Sequence, residues 1–315
     1  MKIRNLLFVW TLALAWFPAI AQEQTPVFTL DSVLNTWFSG DNGMMRFGDH
    51  TLAFAPPAPF NGGVKVADKD GNLLMTAEFF PDYQITHQVF ARARIKSAAD
   101  HTLTEPGLYQ IVFFVNNTPV TRMPVMLRQT GAGDDPFNPV KTFAYDGFWR
   151  TFAYLTFDEF NEETTVEVNF WVGGLDLADP QKGEMFIIEL IHDGNVIAHT
   201  PRTLGHIAPG HFEWQKLTLR QPHEKGKEVN APMFALKDWV ANDGLYELRF
   251  RRQNDGKMIR SLDFKVADGA IQQHPRSALD YEPRVDFIVP RVQKRGANNF
   301  EMLEAIWIED RKIEE

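Results

Sequence analysis

The 315-residue chain is 44% hydrophobic and 23% charged, the balance of a globular protein, which excludes a disordered chain. Its 21 glycines and 19 prolines are too few for a collagen-like or linker-dominated one, and it has no cysteine, which excludes disulfides, thiolate nucleophiles, cysteine zinc sites, iron–sulfur clusters and lipoprotein-type acylation. Forty-one acidic residues against 32 basic ones give a formal net charge of −9, which repels phosphate backbones and, with no basic stripe to overcome it locally, argues against nucleic acid as a partner.

Residues 1–21 predict an export signal. Lys2 and Arg4 form a charged start, Leu6 to Trp16 an apolar stretch, and Ala19-Ile20-Ala21 a small-residue site for cleavage after Ala21. The apolar stretch is shorter than the ~20 residues a spanning helix needs. No other segment approaches that length, so the mature chain is expected to carry no transmembrane segment and to be periplasmic or secreted. Cleavage takes two basic residues and no acidic one, which makes the mature chain more acidic still.

From residue 22 onward, strand patterns dominate. Leu30 to Trp37 and Met233 to Ala241 are the best short helix candidates. Asp70-Gly71-Asn72 reads as a β-hairpin turn, because Gly tolerates positive φ. Pro106 to Phe113 reads as a strand, followed by a turn at Asn116-Asn117 and a further strand over Pro124 to Leu127. Thr130 to Pro136 is rich in Gly, Asp and Pro, as a linker would be. Val166, Val168, Phe170 and Val172 alternate with Glu167, Asn169 and Trp171, a strand with one buried face. Asp193-Gly194-Asn195 is a second hairpin turn, and Asp243 to Phe250, the turn Asn254-Asp255-Gly256 and Ser261 to Val266 repeat the strand–turn–strand order. In the last 49 residues Val285, Phe287 and Val289 suggest one strand, and Phe300 to Ile308 a second strand or short helix.

Two segments recur in the same order, Asp70-Gly71-Asn72-Leu73 with Asp193-Gly194-Asn195-Val196, and Pro106-Gly107-Leu108-Tyr109 with Asp243-Gly244-Leu245-Tyr246. Their order points to a duplicated domain. The second segment resembles strand F of the immunoglobulin-like β-sandwich superfamily, where a Tyr follows a glycine corner. That resemblance implies that the Tyr109 and Tyr246 hydroxyls bond back to the backbone just upstream, and that Ile111 and Leu248, two residues on, face the core. Aliphatic residues at those positions imply a disulfide-free variant. The expected fold class is all-β: two tandem immunoglobulin-like β-sandwich domains, residues 22–129 and 141–268, joined by a linker over 130–140, with a C-terminal extension over 269–315 packed on them.

The hairpin glycines 71 and 194 are 123 residues apart, and the corner glycines 107 and 244 are 137 apart. The second half therefore carries 14 extra residues, and Gln221 to Pro232 is the most loop-like stretch between. Function concentrates on loops held by a rigid scaffold, which nominates His223, Glu224, Lys225 and Lys227. In the first half Leu108, Val112 and Phe114 make the second face of the corner strand apolar too, so that face is expected to be covered or to serve assembly.

Chemistry finds few candidates. His192, His199, His206 and His211 lie close in sequence, but strand rise separates His192 from the others, leaving His199, His206 and His211 as the weak metal set. Asp158 to Glu163 lacks the spacing and glycine of an EF-hand loop and reads as a solvated turn. No G-x-S-x-G elbow, Ser-x-x-Lys signature or glycine-rich phosphate loop is present, and no carboxylate pair is nominated. Aromatics crowd residues 143–160, and Trp171 falls on the polar face of its strand, so Trp171, Trp149 and Trp214 are the candidate stacking rings. The expected function is an exported, non-catalytic binding protein without a cofactor, acting on a protein or polysaccharide of the cell envelope. The alternatives are a carbohydrate-binding protein, an envelope glycan-active enzyme and an assembly subunit.

Overall fold

The computed structural model describes residues 33–36, 39–41, 44–46, 52–54, 62–82, 90–95, 101–103, 105–115, 118–130, 143–147, 150, 152–179, 181–223, 226–227, 231–273, 293–295, 300–302 and 305–310. The first half contributes β1 (Val33–Thr36), β2 (Ser39–Asp41), β3 (Met44–Arg46), β4 (Leu52–Phe54), β5 (Gly62–Ala67), β6 (Leu73–Asp82), β7 (Phe90–Ile95), β8 (His101–Thr102), β9 (Gly107–Val115) and β10 (Thr118–Gln129). The second contributes β11 (Phe143–Asp146), β12 (Phe152–Phe160), β13 (Glu163–Gly173), β14 (Glu184–His192), β15 (Asn195–His199), β16 (Gly205–Ile207) and β17 (Phe212–Thr218). A one-turn helix α1 (Leu236–Trp239), β18 (Gly244–Arg252), β19 (Met258–Ala267) and β20 (Ala270–Ile271) complete it, and the tail adds β21 (Gln293–Arg295), β22 (Phe300–Met302) and β23 (Ala305–Asp310).

The protein is all-β, with antiparallel pairing. One eight-stranded sheet has the order β1-β4-β7-β6-β5-β9-β10-β11; a second, of 13 strands, follows β15-β14-β18-β19-β23-β12-β13-β17-β2-β3-β8, with β16 and β20 pairing off the path. Within these, β6-β5-β9-β10 and β15-β14-β18-β19 run in the same order, each beginning at an Asp-Gly hairpin and ending in the strand after the corner. The two hairpins differ in closure. Asp193 and Gly194 both take positive φ, 47° and 77°, and turn the chain in two residues. Residues 68–72 make a longer loop in which Asp68 Oδ1 accepts the N–H groups of Asp70 and Asn72 at 2.9 and 2.8 Å.

Both corners close in the same way. The Tyr109 hydroxyl donates to Glu105 O at 2.6 Å and the Tyr246 hydroxyl to Asn242 O at 2.8 Å, each four residues upstream. Ile111 and Leu248 are buried in the core beneath them. Replacing either tyrosine by phenylalanine keeps the ring and loses this bond, so Tyr109→Phe and Tyr246→Phe are each expected to cost about 1 kcal/mol in denaturant unfolding. A loss of solvent-exposed size, a few tenths of a kcal/mol, would show that the bond contributes nothing.

The core of the second half sits between the β12-β13-β17 and β15-β14-β18-β19 segments. Phe170 lies 5.8 Å from Phe186 and 4.9 Å from Phe250, both edge-on, and Trp239 of α1 is fully enclosed with its indole N–H on Phe234 O at 3.2 Å. Two connections join these segments at their sides. On one, β23 pairs with β12 from Thr156↔Ala305 to Phe152↔Glu309 and touches β19 at Leu262↔Asp310 and Asp263↔Glu309. On the other, Arg220 bridges His199 at the end of β15 and Met233, while Ala235 bridges Thr165 of β13.

Several expectations change. Residues 33–36, inside the helix candidate Leu30 to Trp37, form β1, because β4 satisfies their backbone groups in a ladder. The second candidate shortens to the four residues of α1. β11 lies beyond the expected linker yet pairs with β10 of the first half, Met126↔Asp146 to Gln129↔Phe143. Conversely β2 joins the second sheet at Gly40↔Phe212. On the corner strand β9 only part of the second face is covered: Lys65 Nζ stands 4.5 Å over the buried Phe114 ring, whereas Leu108 is exposed. The strand expected around Val285 lies outside the described residues. Among the described residues no helix is long and apolar enough to cross a membrane.

Candidate functional site

The stretch over 221–232 meets the scaffold at a narrow neck. After β17 the chain passes Arg220, whose N–H donates to His199 O at 2.9 Å while its carbonyl accepts the His199 N–H at 3.1 Å. Gln221 N–H then donates to Pro232 O, and Phe234 N–H to Leu219 O, both at 3.0 Å. The Arg220 guanidinium reaches across to Ala231 O at 2.6 Å. The two ends of this stretch are thus tied together, and the ties attach them to β15, the outer strand of its sheet.

His223 folds back over this neck onto His199. Their ring centroids are 4.0 Å apart with the planes tilted by 37°, and His223 N–H points to His199 Nε2 at 3.5 Å. His199 Nδ1 lies 3.0 Å from Thr200 O and His223 Nδ1 2.9 Å from Gln221 O. A carbonyl only accepts, so each Nδ1 carries a proton in these contacts. His223 Nε2 is buried and meets no hydrogen-bond partner among the described residues. Lys227 is exposed on the loop; Glu224 and Lys225 lie outside the described residues.

The set His199, His206 and His211 is not assembled. His199 turns to His223 instead, His206 is exposed on β16, where its ring packs beside Gly183, and His211 precedes β17. Among the described residues no group of three or more His, Asp or Glu side chains is placed to hold a metal ion, short of the three protein ligands that a catalytic zinc requires. The acidic run ends in a tight turn, Asn161 and Glu162 at φ 50° and 66°, beside a cleft of about 420 Å³ shared with α1 and spanned by the Glu163–Lys237 ion pair.

Trp171 offers no face to a ligand. It is fully buried, stacked on Phe212 at 4.6 Å with 21° between planes, and this corrects its expected role as a stacking platform. The face on which alternation places it is enclosed from Thr165 onward. Asn169, fully buried, donates to Thr156 Oγ1 at 2.8 Å, and Glu167, 8% exposed, pairs with Lys216 at 2.9 Å. Trp214 stands opposite Trp171 on β17, and its side chain, like all of Trp149, lies outside the described residues.

Comparison with protein-family models, curated proteins and solved structures finds no match to this chain. What the site can do is read from its own geometry.

One feature had no signal in the sequence. Asp176, with a side chain 1% exposed, accepts from Arg150 at 2.5 Å and from Gly173 N–H at 2.9 Å, and stands 3.5 Å from Arg260. Arg150 also reaches Asp146 at 3.2 Å, and Asp146 holds Arg128 of β10 at 2.6 Å. Burial opposes the charge of Arg150, but the Asp176 and Asp146 carboxylates outweigh it and hold its pKa above the ordinary value. For Asp146 burial likewise works against ionisation, and the Arg128 and Arg150 guanidiniums bring its pKa below the usual carboxylate value. The chain of charges ties β10 and β11 to β19, and so braces the scaffold.

Proposed function

We propose that this is an exported, non-catalytic binding protein built from two tandem immunoglobulin-like sandwiches, residues 22–129 and 141–268, and that the loop over 221–232 carries its contact with a protein of the cell envelope. The paired tyrosine corners and the shared four-strand order support the tandem reading. The leader over residues 1–21, cut after Ala21, supports export to the periplasm or beyond. The neck of the loop is the observation that carries the binding reading. Backbone bonds at its two ends fix where the loop is presented and reduce the ordering cost of engaging a partner. His223 and Lys227, with Glu224 and Lys225 between them in sequence, give that loop polar and charged groups suited to a protein surface. The carbohydrate reading loses support with the enclosure of Trp171.

The test uses mature residues 22–315 as bait in native envelope extract, beside a variant in which residues 224–230 are replaced by Gly-Ser-Gly and the neck is kept. One protein captured in stoichiometric amount by the first bait and absent from the second is the expected result. Capture unaffected by the replacement, or none with either bait, contradicts the reading.

A further inference from the structure

The hairpin joining β12 to β13 turns at Asn161 and Glu162, between the paired residues Phe160 and Glu163, with φ of 50° and 66°. A two-residue turn of this kind favours glycine in its second place, because a Cβ there crowds the following carbonyl. Glu162 bears that cost, so the turn by itself gives no reason for a glutamate. What the residue adds is a carboxylate lining the cleft of about 420 Å³ beside α1.

The cleft has the composition of a site for an organic cation, of a size that ligand pockets commonly have. Leu236 and Val240, packed on the core and only partly buried, line it together with Ala235. Of its charged groups, Glu163 holds Lys237, and that bond keeps the Lys237 ammonium pKa above its ordinary value. Among the described residues no cation pairs with Glu162, so the cleft sets two carboxylates against one ammonium. Phe160 is 52% exposed and puts an aromatic ring next to Glu163 across the hairpin. The net charge of −9 favours a basic partner for the chain as a whole.

We propose that this cleft takes an arginine side chain of a partner protein, with the guanidinium on Glu162 and the apolar stem along Leu236 and Val240. Arginine fits better than lysine because its planar fork takes a carboxylate through two N–H groups and stacks on an aromatic face, while its methylenes cover apolar surface. The Glu163–Lys237 pair, with side chains 48% and 68% exposed, is a weak one that an incoming guanidinium can share or displace. α1 begins two residues after Phe234, which makes the last backbone bond of the neck, so the site adjoins the 221–232 loop. The inference stands whether or not that loop binds a partner.

The test titrates N-acetyl-arginine amide into the isotope-labelled full chain and follows the amide chemical shifts. Saturable shifts at residues 162–164 and 235–240 are expected, with a dissociation constant on the order of 1–10 mM for a single side chain. N-acetyl-citrulline amide, which has the same shape without the charge, is expected to bind about tenfold more weakly or worse. Glu162→Gln is expected to weaken the arginine probe by about tenfold or more. Glu162→Gly is expected to do the same while the melting temperature holds or rises, because glycine suits the turn, and this separates the carboxylate from the fold of the hairpin. No saturable shift at these residues up to about 50 mM, an equal response to the citrulline probe, or arginine binding unchanged in Glu162→Gln overturns the proposal.

Discussion

Asp176→Ala is expected to destabilise the protein by about 3–5 kcal/mol, the cost of leaving buried charges without their counter-ion. The substitution strips Arg150 of its 2.5 Å partner, takes a carboxylate from beside Arg260, which keeps its bond to the Trp171 carbonyl at 2.6 Å, and orphans the Gly173 N–H. Asp176→Asn keeps an acceptor for that N–H and removes the charge, so it should cost less than alanine yet still be measurable. Urea unfolding at neutral pH checks both. A double variant adding Arg260→Met should recover part of the loss, since the buried cation of β19 is then gone, while Arg150 keeps Asp146. A loss under about 1 kcal/mol for Asp176→Ala would mean that water reaches the carboxylate and that the chain of charges does not brace the scaffold.

Trp171→Ala should be of similar size, about 3–5 kcal/mol, because a fully enclosed indole leaves a cavity that strand pairing on both sides prevents from collapsing. Trp171→Phe, which keeps a ring against Phe212, should cost less than half as much. Both are read in the same unfolding experiment, and the emission of Trp171 should not respond to polysaccharide. A near-neutral alanine substitution would place the indole in solvent and restore the carbohydrate reading.

The sequence announced the parts governed by local chemistry. Glycine corners followed by tyrosine marked two hydroxyl-to-backbone bonds, and Asp193-Gly194 marked a two-residue turn. It misled where tertiary contact decides. Glu167, Asn169 and Trp171 alternate with aliphatics as if facing water, yet that face is closed over, and the polar groups are accommodated by Thr156 and Lys216. Residues 33–36 sit in a stretch that suits a helix and become a strand because β4 lies beside them. The His199–His223 contact joins residues 24 apart through a bridge at Arg220, and the Asp176 cluster gathers residues from β11, β13 and β19; neither leaves a periodic trace to follow.

In the proposed function the loop binds and the scaffold folds without it. Its most direct test is the dissociation constant of the captured partner for the wild type and for the variant with residues 224–230 replaced, taken beside their melting temperatures. An affinity loss of about 100-fold or more is expected, the weight of a binding hot spot, with melting temperatures within ~2 °C of each other. Equal affinities with the loop replaced would contradict it and move the binding surface elsewhere on the sandwich.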